Sequence, residues 1–228
     1  MKDGVTLEKC AEDYGRRCVS IGKERRNIAD LQDAMNHPMF KNGHHRLLDG
    51  LAKDFRVLKY FAELQPWETI KLGVTRSVRS LRKELADAGC GLGSDVEEMI
   101  EYIPLASRPV EIDLYCASIT EIRTKRGTWE GILSRLDELG FAELPGEAAL
   151  QLRKQHSDQP IKEYYTIVVT KPIECPEGKV RGFYIGCNSD GPWISCYDCN
   201  DDLYRHYVEQ KNMRLVFGRK EQLRELGL

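Results

Sequence analysis

Between Pro66 and Gly89 the chain reads PWETIKLGVTRSVRSLRKELADAG, and its apolar positions recur at helical spacing. Numbered from Val74 at about 100° per residue, Val74, Val78, Leu81 and Leu85 fall on one narrow face. Arg76, Arg79, Arg82 and Lys83 fall on another. The segment thus has one side to bury and one side that is positively charged. Pro66 to Leu72 predicts a short helix opened by its proline, Gly73 a turn, and Gly89 the close of the longer helix.

The same periodicity extends in both directions. Val5, Leu7, Cys10, Tyr14 and Cys18 predict helix in the first forty residues, with a basic stretch from Arg16 to Arg26. That stretch reads either as an arm along nucleic acid or as the solvated face of a surface helix. Leu47-Leu48, Leu51, Phe55, Leu58 and Phe61-Ala62 predict a further helix, and Met99 to Leu105 a short strand. A second helical block begins at Val110 with Ile112, Leu114-Tyr115, Ile119 and Ile122. Counting back from Gly89, apolar residues stand four, eight and eleven positions earlier, at Leu85, Leu81 and Val78. The same offsets from Gly140 give Leu136, Ile132 and Trp129, which predicts a repeated helix-to-glycine unit. Phe141 to Leu144 would then start a β-wing, with Tyr164 to Val169 as its returning strand, across the polar stretch Gln151 to Pro160.

Beyond Pro160 the period changes. Tyr164 to Thr170, Val180 to Cys187, Trp193 to Cys196 and Met213 to Phe217 predict strands, and Lys220 to Leu226 a closing helix. The expected fold class is α+β, a mostly helical first two-thirds followed by a small antiparallel sheet and a terminal helix. Its expected parts are residues 1–40, 41–108, 109–160 and 161–228.

Short helix, glycine turn and longer basic helix resemble the helix-turn-helix of winged-helix DNA-binding domains, over residues 41–105, with a weaker second copy over 110–170. The resemblance implies that Val78, Leu81 and Leu85 seat a recognition helix. It also implies that Arg76, Ser77, Arg79, Arg82 and Lys83 face double-stranded DNA, and that a homodimer reading two half-sites is compatible with the chain. The second helix offers Glu130, Ser134, Asp137 and Glu138 with only Arg135 basic, so it would be repelled by phosphates and suits packing or a protein contact.

Charge agrees with this division. The 228 residues carry a formal net charge of -2, yet Lys and Arg outnumber Asp and Glu by 17 to 13 up to Cys90. From Gly91 to Pro160 the balance reverses, 7 to 13. Positive potential is concentrated around the predicted basic helix. No apolar run approaches the length needed to cross a bilayer and no basic-then-apolar leader opens the chain, so a cytoplasmic protein without a membrane partner is expected. Eight cysteines scattered through a chain of this size suit reduced thiols.

Two further chemistries have partial counterparts in the sequence. Cys196 and Cys199 have the two-residue spacing of a zinc knuckle, with Cys175, Cys187 and His206 as further ligands, but no second close pair accompanies them. Thiols used as small apolar side chains are the plainer reading, and no cofactor is expected. Phe183-Tyr184-Ile185-Gly186 is similar to half of the GIY-YIG nuclease signature. Tyr165 and Arg205 are too distant in sequence for its usual spacing, although Glu221 could stand for its glutamate. The chain is therefore expected to be non-enzymatic. It reads as a DNA-binding regulator or replication-type initiator; the alternative is an interaction or inhibitor protein, of the kind phages encode, that docks on a host protein or ribonucleoprotein complex.

Overall fold

The computed structural model describes residues 54, 56–123, 129–156, 159, 164–167, 173–174, 180–198 and 214–228. The chain divides into two compact units, Met1–Glu63 and Leu64–Leu228. In the first, residues 56–62 are helical, with Val57 and Phe61 buried one turn apart. Lys59 and Glu63 pair across one turn at 4.0 Å, and Tyr60 meets Phe61 edge-on. This is the end of the helix expected from Leu47 to Ala62. Its front, residues 1–40 and the basic stretch from Arg16 to Arg26 lie outside the described residues.

The second unit opens with a correction. Glu68–Leu72 is strand β1, not a short helix. Ile70 and Leu72 are buried while Thr69 and Lys71 face outward, a period of two that five residues display only weakly. Helix α1 spans Val78–Asp87, with Leu81 and Leu85 fully buried. It begins four residues later than the apolar pattern suggests, because the Ser77 hydroxyl caps it by accepting the Ser80 amide at 3.1 Å. Val74 therefore stays out of the helix and 42% exposed. Gly89, at φ +70°, closes α1 as expected.

Strand β2 (Gly91–Leu92), helix α2 (Ser94–Met99) and a 3₁₀ turn (Ile100–Tyr102) follow. The strand expected at Met99 to Leu105 is thus helical as far as Tyr102, with Val96, Met99 and Ile100 buried on it and Ile103 buried just after it. The helical block expected from Val110 is instead strand β3, Val110–Ser118. Ile112, Leu114, Tyr115, Cys116 and Ala117 are all buried, since a strand covered on both faces loses its alternation. Helices α3 (Ile119–Ile122) and α4 (Trp129–Glu138), strand β4 (Phe141–Ala142) and helix α5 (Glu147–Gln155) complete the middle of the chain.

The repeat is real in its helix-to-glycine core. Ile132 and Leu136 are buried like their counterparts Leu81 and Leu85, Trp129 is buried where its counterpart Val78 is half-buried, and Gly140 has φ +85°. Each helix is followed by a two-residue strand and another helix, but α1 comes after strand β1 whereas α4 comes after helix α3. The shared unit is helix–strand–helix, and neither copy has the helix–turn–helix–wing order expected from the resemblance.

The remaining strands are β5 (Tyr164–Ile167), β6 (Ile173–Glu174), β7 (Val180–Asn188), β8 (Gly191–Asp198) and β9 (Arg214–Arg219), with helix α6 (Lys220–Leu226) last. All join one mixed sheet in the order β1-β3-β9-β5-β7-β8-β2, with β4 also on β9 and β6 on β7. The β5–β9 and β2–β8 pairs are parallel and the others antiparallel. The fold is α+β. The expected wing does not form: β4 pairs with β9, and β5 with β7 and β9. The boundaries expected after residues 108 and 160 both fall inside this unit, and the C-terminal strands share a sheet with β1 and β3 rather than building their own.

Helix α5 is the centre of the core. All residues from Glu147 to Arg153 are buried, although Gln151 and Arg153 had suggested a polar loop. The helix packs on β1 near one end of the sheet and on β7 and β8 near the other, which requires the sheet to curl around it. A helix enclosed in this way keeps no polar face for the sequence to advertise.

Candidate nucleic-acid interface

Helix α1 lies on the surface of the second unit, its buried face packed toward α5. Arg79 and Lys83 stand one turn apart on the opposite face, and Arg76 precedes the Ser77 cap. All three are exposed, and none makes an ion pair or hydrogen bond with another described residue. Arg82 does not join them freely. Its Nη2 donates to the Glu97 carbonyl at 2.7 Å and meets Glu101 Oε1 at 3.1 Å, which binds the end of α2 to the side of α1. Ser77 is committed to the cap. Of the five residues expected to face DNA, three carry charge that is available to a ligand and two hold local structure.

A polar network behind α1 fixes the turn that delivers Arg76. Gly73 takes φ +65°, and a Cβ there would stand 2.2 Å from the Arg108 carbonyl oxygen. The buried Glu147 carboxylate accepts the Gly73 amide at 2.8 Å, the Ala106 amide at 2.7 Å and Gln151 Nε2 at 3.0 Å. One carboxylate thereby joins the β1–α1 turn, the loop before β3 and α5. Glu84, on the side of α1, accepts from Lys154 Nζ at 2.5 Å and from Thr75 Oγ1 at 2.9 Å. The Lys154 hydrogen bond is the main reason why the Glu84 carboxyl lies below its ordinary value; burial opposes that shift, and the Thr75 hydroxyl and the lysine charge assist it. Apart from Glu147–Gln151, four residues apart on one helix, these contacts span between 9 and 74 positions, and no spacing in the sequence announces them.

The other expected sites are placed differently. Cys175, Cys199 and His206 lie outside the described residues. Cys187 stands opposite Pro192 and Cys196 opposite Phe183, so the two thiols are four residues apart along the β7–β8 ladder. That is roughly 13 Å at strand rise, too far for one zinc ion. No cluster of three metal-ligating side chains occurs among the described residues. Cys90 and Cys116 are buried; burial pushes the Cys90 thiol up to about 11, against a lowering by the nearby Arg153 charge.

In Phe183-Tyr184-Ile185-Gly186 the glycine has a packing reason. A Cβ on Gly186 would stand 2.3 Å from Cζ2 of Trp193, which lies opposite it on β8 and meets Tyr184 edge-on. An aromatic ring laid across a strand glycine is a known way to keep such a position ordered. Tyr165, distant in sequence, is opposite Ile185 in the sheet; Arg205 lies outside the described residues and Glu221 is exposed in the first turn of α6.

The acidic face of α4 is largely compensated within the unit. Asp137 pairs with Lys220, and Glu138 with Arg135 at 2.6 Å. A cleft of about 410 Å³ runs between Leu133, Asp137 and Glu138 on α4 and Phe141, Ala142 and Glu143. No helix among the described residues is long and apolar enough to cross a membrane. No protein-family model matches the chain, and no curated protein or solved structure matches it either.

Proposed function

We propose that the protein binds DNA through the outward face of α1, chiefly by contacts to phosphates. The observation that supports this is the set Arg76, Arg79 and Lys83, exposed and without counter-charge among the described residues. Surface cations elsewhere in the second unit are mostly engaged: Lys71 by Glu111, Arg135 by Glu138, Lys154 by Glu84 and Lys220 by Asp137. Arg108, Arg123 and Arg224 are also exposed, but each stands singly on another element, whereas Arg76, Arg79 and Lys83 fall within eight consecutive residues. Such a grouping suits a polyanion, since each phosphate contact also releases condensed counterions. Because β1 replaces the first helix of a helix-turn-helix, the reading rests on α1 alone and not on insertion of a two-helix motif into the major groove.

The test is fluorescence anisotropy with labelled DNA over a salt series. The wild type is compared with an Arg76→Ala, Arg79→Ala, Lys83→Ala variant whose circular dichroism is unchanged. Salt-dependent binding is expected, with a log–log salt slope that falls by about 2 to 3 in the variant, at roughly 0.7 to 0.9 per phosphate lost. Binding that is absent at low salt, or untouched by the triple change, overturns the reading.

The second reading is a protein that docks on another protein or ribonucleoprotein complex. It is favoured by the net charge of -2 and by the commitment of Arg82 to Glu101, which leaves only a small cationic patch. An acidic protein partner would answer the same three side chains, and the triple variant would lose it too.

A further inference from the structure

Beside the cationic face of α1 stands an aromatic ring with nothing to do inside the fold. Tyr102 ends the 3₁₀ turn Ile100–Tyr102, and while its neighbours Ile100 and Ile103 are buried, its own side chain is 52% exposed. It makes no hydrogen bond and no ring contact with any described residue. Its place is fixed from both sides. Ile100 and Ile103 anchor the turn in the core, and Arg82 grips the Glu101 carboxylate and the Glu97 carbonyl from α1. On α1, Arg79 precedes Arg82 by three residues and Lys83 follows it by one, so the turn that carries Tyr102 is held to the helix at a position between these two cations.

We infer that this surface takes single-stranded nucleic acid, with one base stacked on Tyr102 and the flanking phosphates met by Arg79 and Lys83. The inference rests on the nucleic-acid reading above and deepens it by naming the form of the strand. In a duplex the base faces are covered by their neighbours, and an exposed tyrosine beside a phosphate-binding helix finds no face to stack on. In a single strand every base offers one, and stacking on aromatic side chains combined with a cationic track is how such strands are held without sequence preference. The Arg82–Glu101 pair has a part in this arrangement: it spends one cation to hold the aromatic turn against the other two.

The experiment measures anisotropy of a labelled twenty-nucleotide oligothymidine and of a hairpin duplex of equal phosphate number, with the full-length protein at one low salt concentration. The proteins are the wild type, Tyr102→Ala, Tyr102→Phe and the triple cation variant. The expected result is tighter binding of the single strand, weakened about five- to tenfold by Tyr102→Ala and preserved by Tyr102→Phe, with the duplex indifferent to both changes. Because Tyr102 is exposed and has no partner among the described residues, neither substitution should disturb folding, which circular dichroism verifies. Equal or tighter duplex binding, or a single-strand affinity that Tyr102→Ala leaves unchanged, overturns the inference while the nucleic-acid reading stands. Failure of both probes to bind removes the two together.

Discussion

The side chain of Gln155 pairs with the backbone of Lys71 as a neighbouring strand would: Nε2 donates to the Lys71 carbonyl and Oε1 accepts the Lys71 amide, both at 2.9 Å. β1 stands at the end of the sheet order, and the outward-pointing groups of an edge strand are a template for pairing with other chains. The last turn of α5 occupies that template. Gln155→Ala should cost about 1 to 2 kcal/mol, from these two lost hydrogen bonds and a third in which Nε2 donates to Gln151 Oε1 at 3.0 Å. It should also make the protein associate as its concentration rises, which light scattering would detect. A variant as monodisperse as the wild type would show that the amide contributes stability alone.

Gly73 and Gly89 both have positive φ but differ in their surroundings, and this separates two costs. At Gly89 a Cβ would meet nothing within 4 Å, so Gly89→Ala should destabilise by about 1 kcal/mol, the penalty of the left-handed backbone alone. At Gly73 the Cβ would overlap the Arg108 and Ala106 carbonyl oxygens, at 2.2 and 2.9 Å. Gly73→Ala should therefore cost about 3 kcal/mol or more, with the excess arising from the forced opening of the Glu147 network. Urea denaturation of the two variants side by side measures the difference.

Glu84 should tie stability to acidity. Its hydrogen bond from Lys154 holds it below its ordinary value in the folded protein, so the unfolded chain takes up this proton first as the pH falls. The stabilisation is complete above the unfolded value and is lost as the pH drops through the folded one. Comparing urea stability of the wild type and Glu84→Gln from pH 6 to pH 3, the difference between them should shrink on acidification. A difference constant over that range would exclude the linkage.

Cys90 should be nearly inert. With its thiol pushed up to about 11 by burial, only about one molecule in a thousand carries the thiolate at pH 8. In a timed alkylation read by peptide mass, Cys187 and Cys196, which are partly exposed, should label at least tenfold faster than Cys90. Equal rates would show that the Cys90 site opens without global unfolding.

The sequence pattern located elements best where it was long and one-sided. α1, with Leu81 and Leu85 inward and Arg79 and Lys83 outward, was legible because a surface helix must display its period, and Lys220–Leu226 was placed with the right ends. The elements misread were those that the fold encloses. β3 is buried on successive residues and reads equally as helix; α5 buries Glu147, Gln151 and Arg153 and reads as a linker. Polar residues enter a core only with partners, and those partners are far away in sequence: Gly73 and Ala106 for Glu147, Gly186 for Arg153. The cations of the candidate interface could be read from the sequence, but Tyr102 could not. Its turn resembled a strand, and only the Arg82–Glu101 pair places it beside α1.

The position of β9 has a consequence for how the chain comes into being. β9, Arg214–Arg219, follows every other strand in chain order; yet in the sheet it is the strand that joins β1 and β3 on one side to β5, β7, β8 and β2 on the other. A ribosome adding about 5 to 20 residues per second would release both halves of the sheet well before the strand that unites them. Until then, Cys116 and Ala117 on β3 have no neighbour at the registers later taken by Val216 and Leu215. The nascent second unit must wait for β9 with two open seams, so a chain terminated before Arg214 would leave two half-sheets with no strand to unite them.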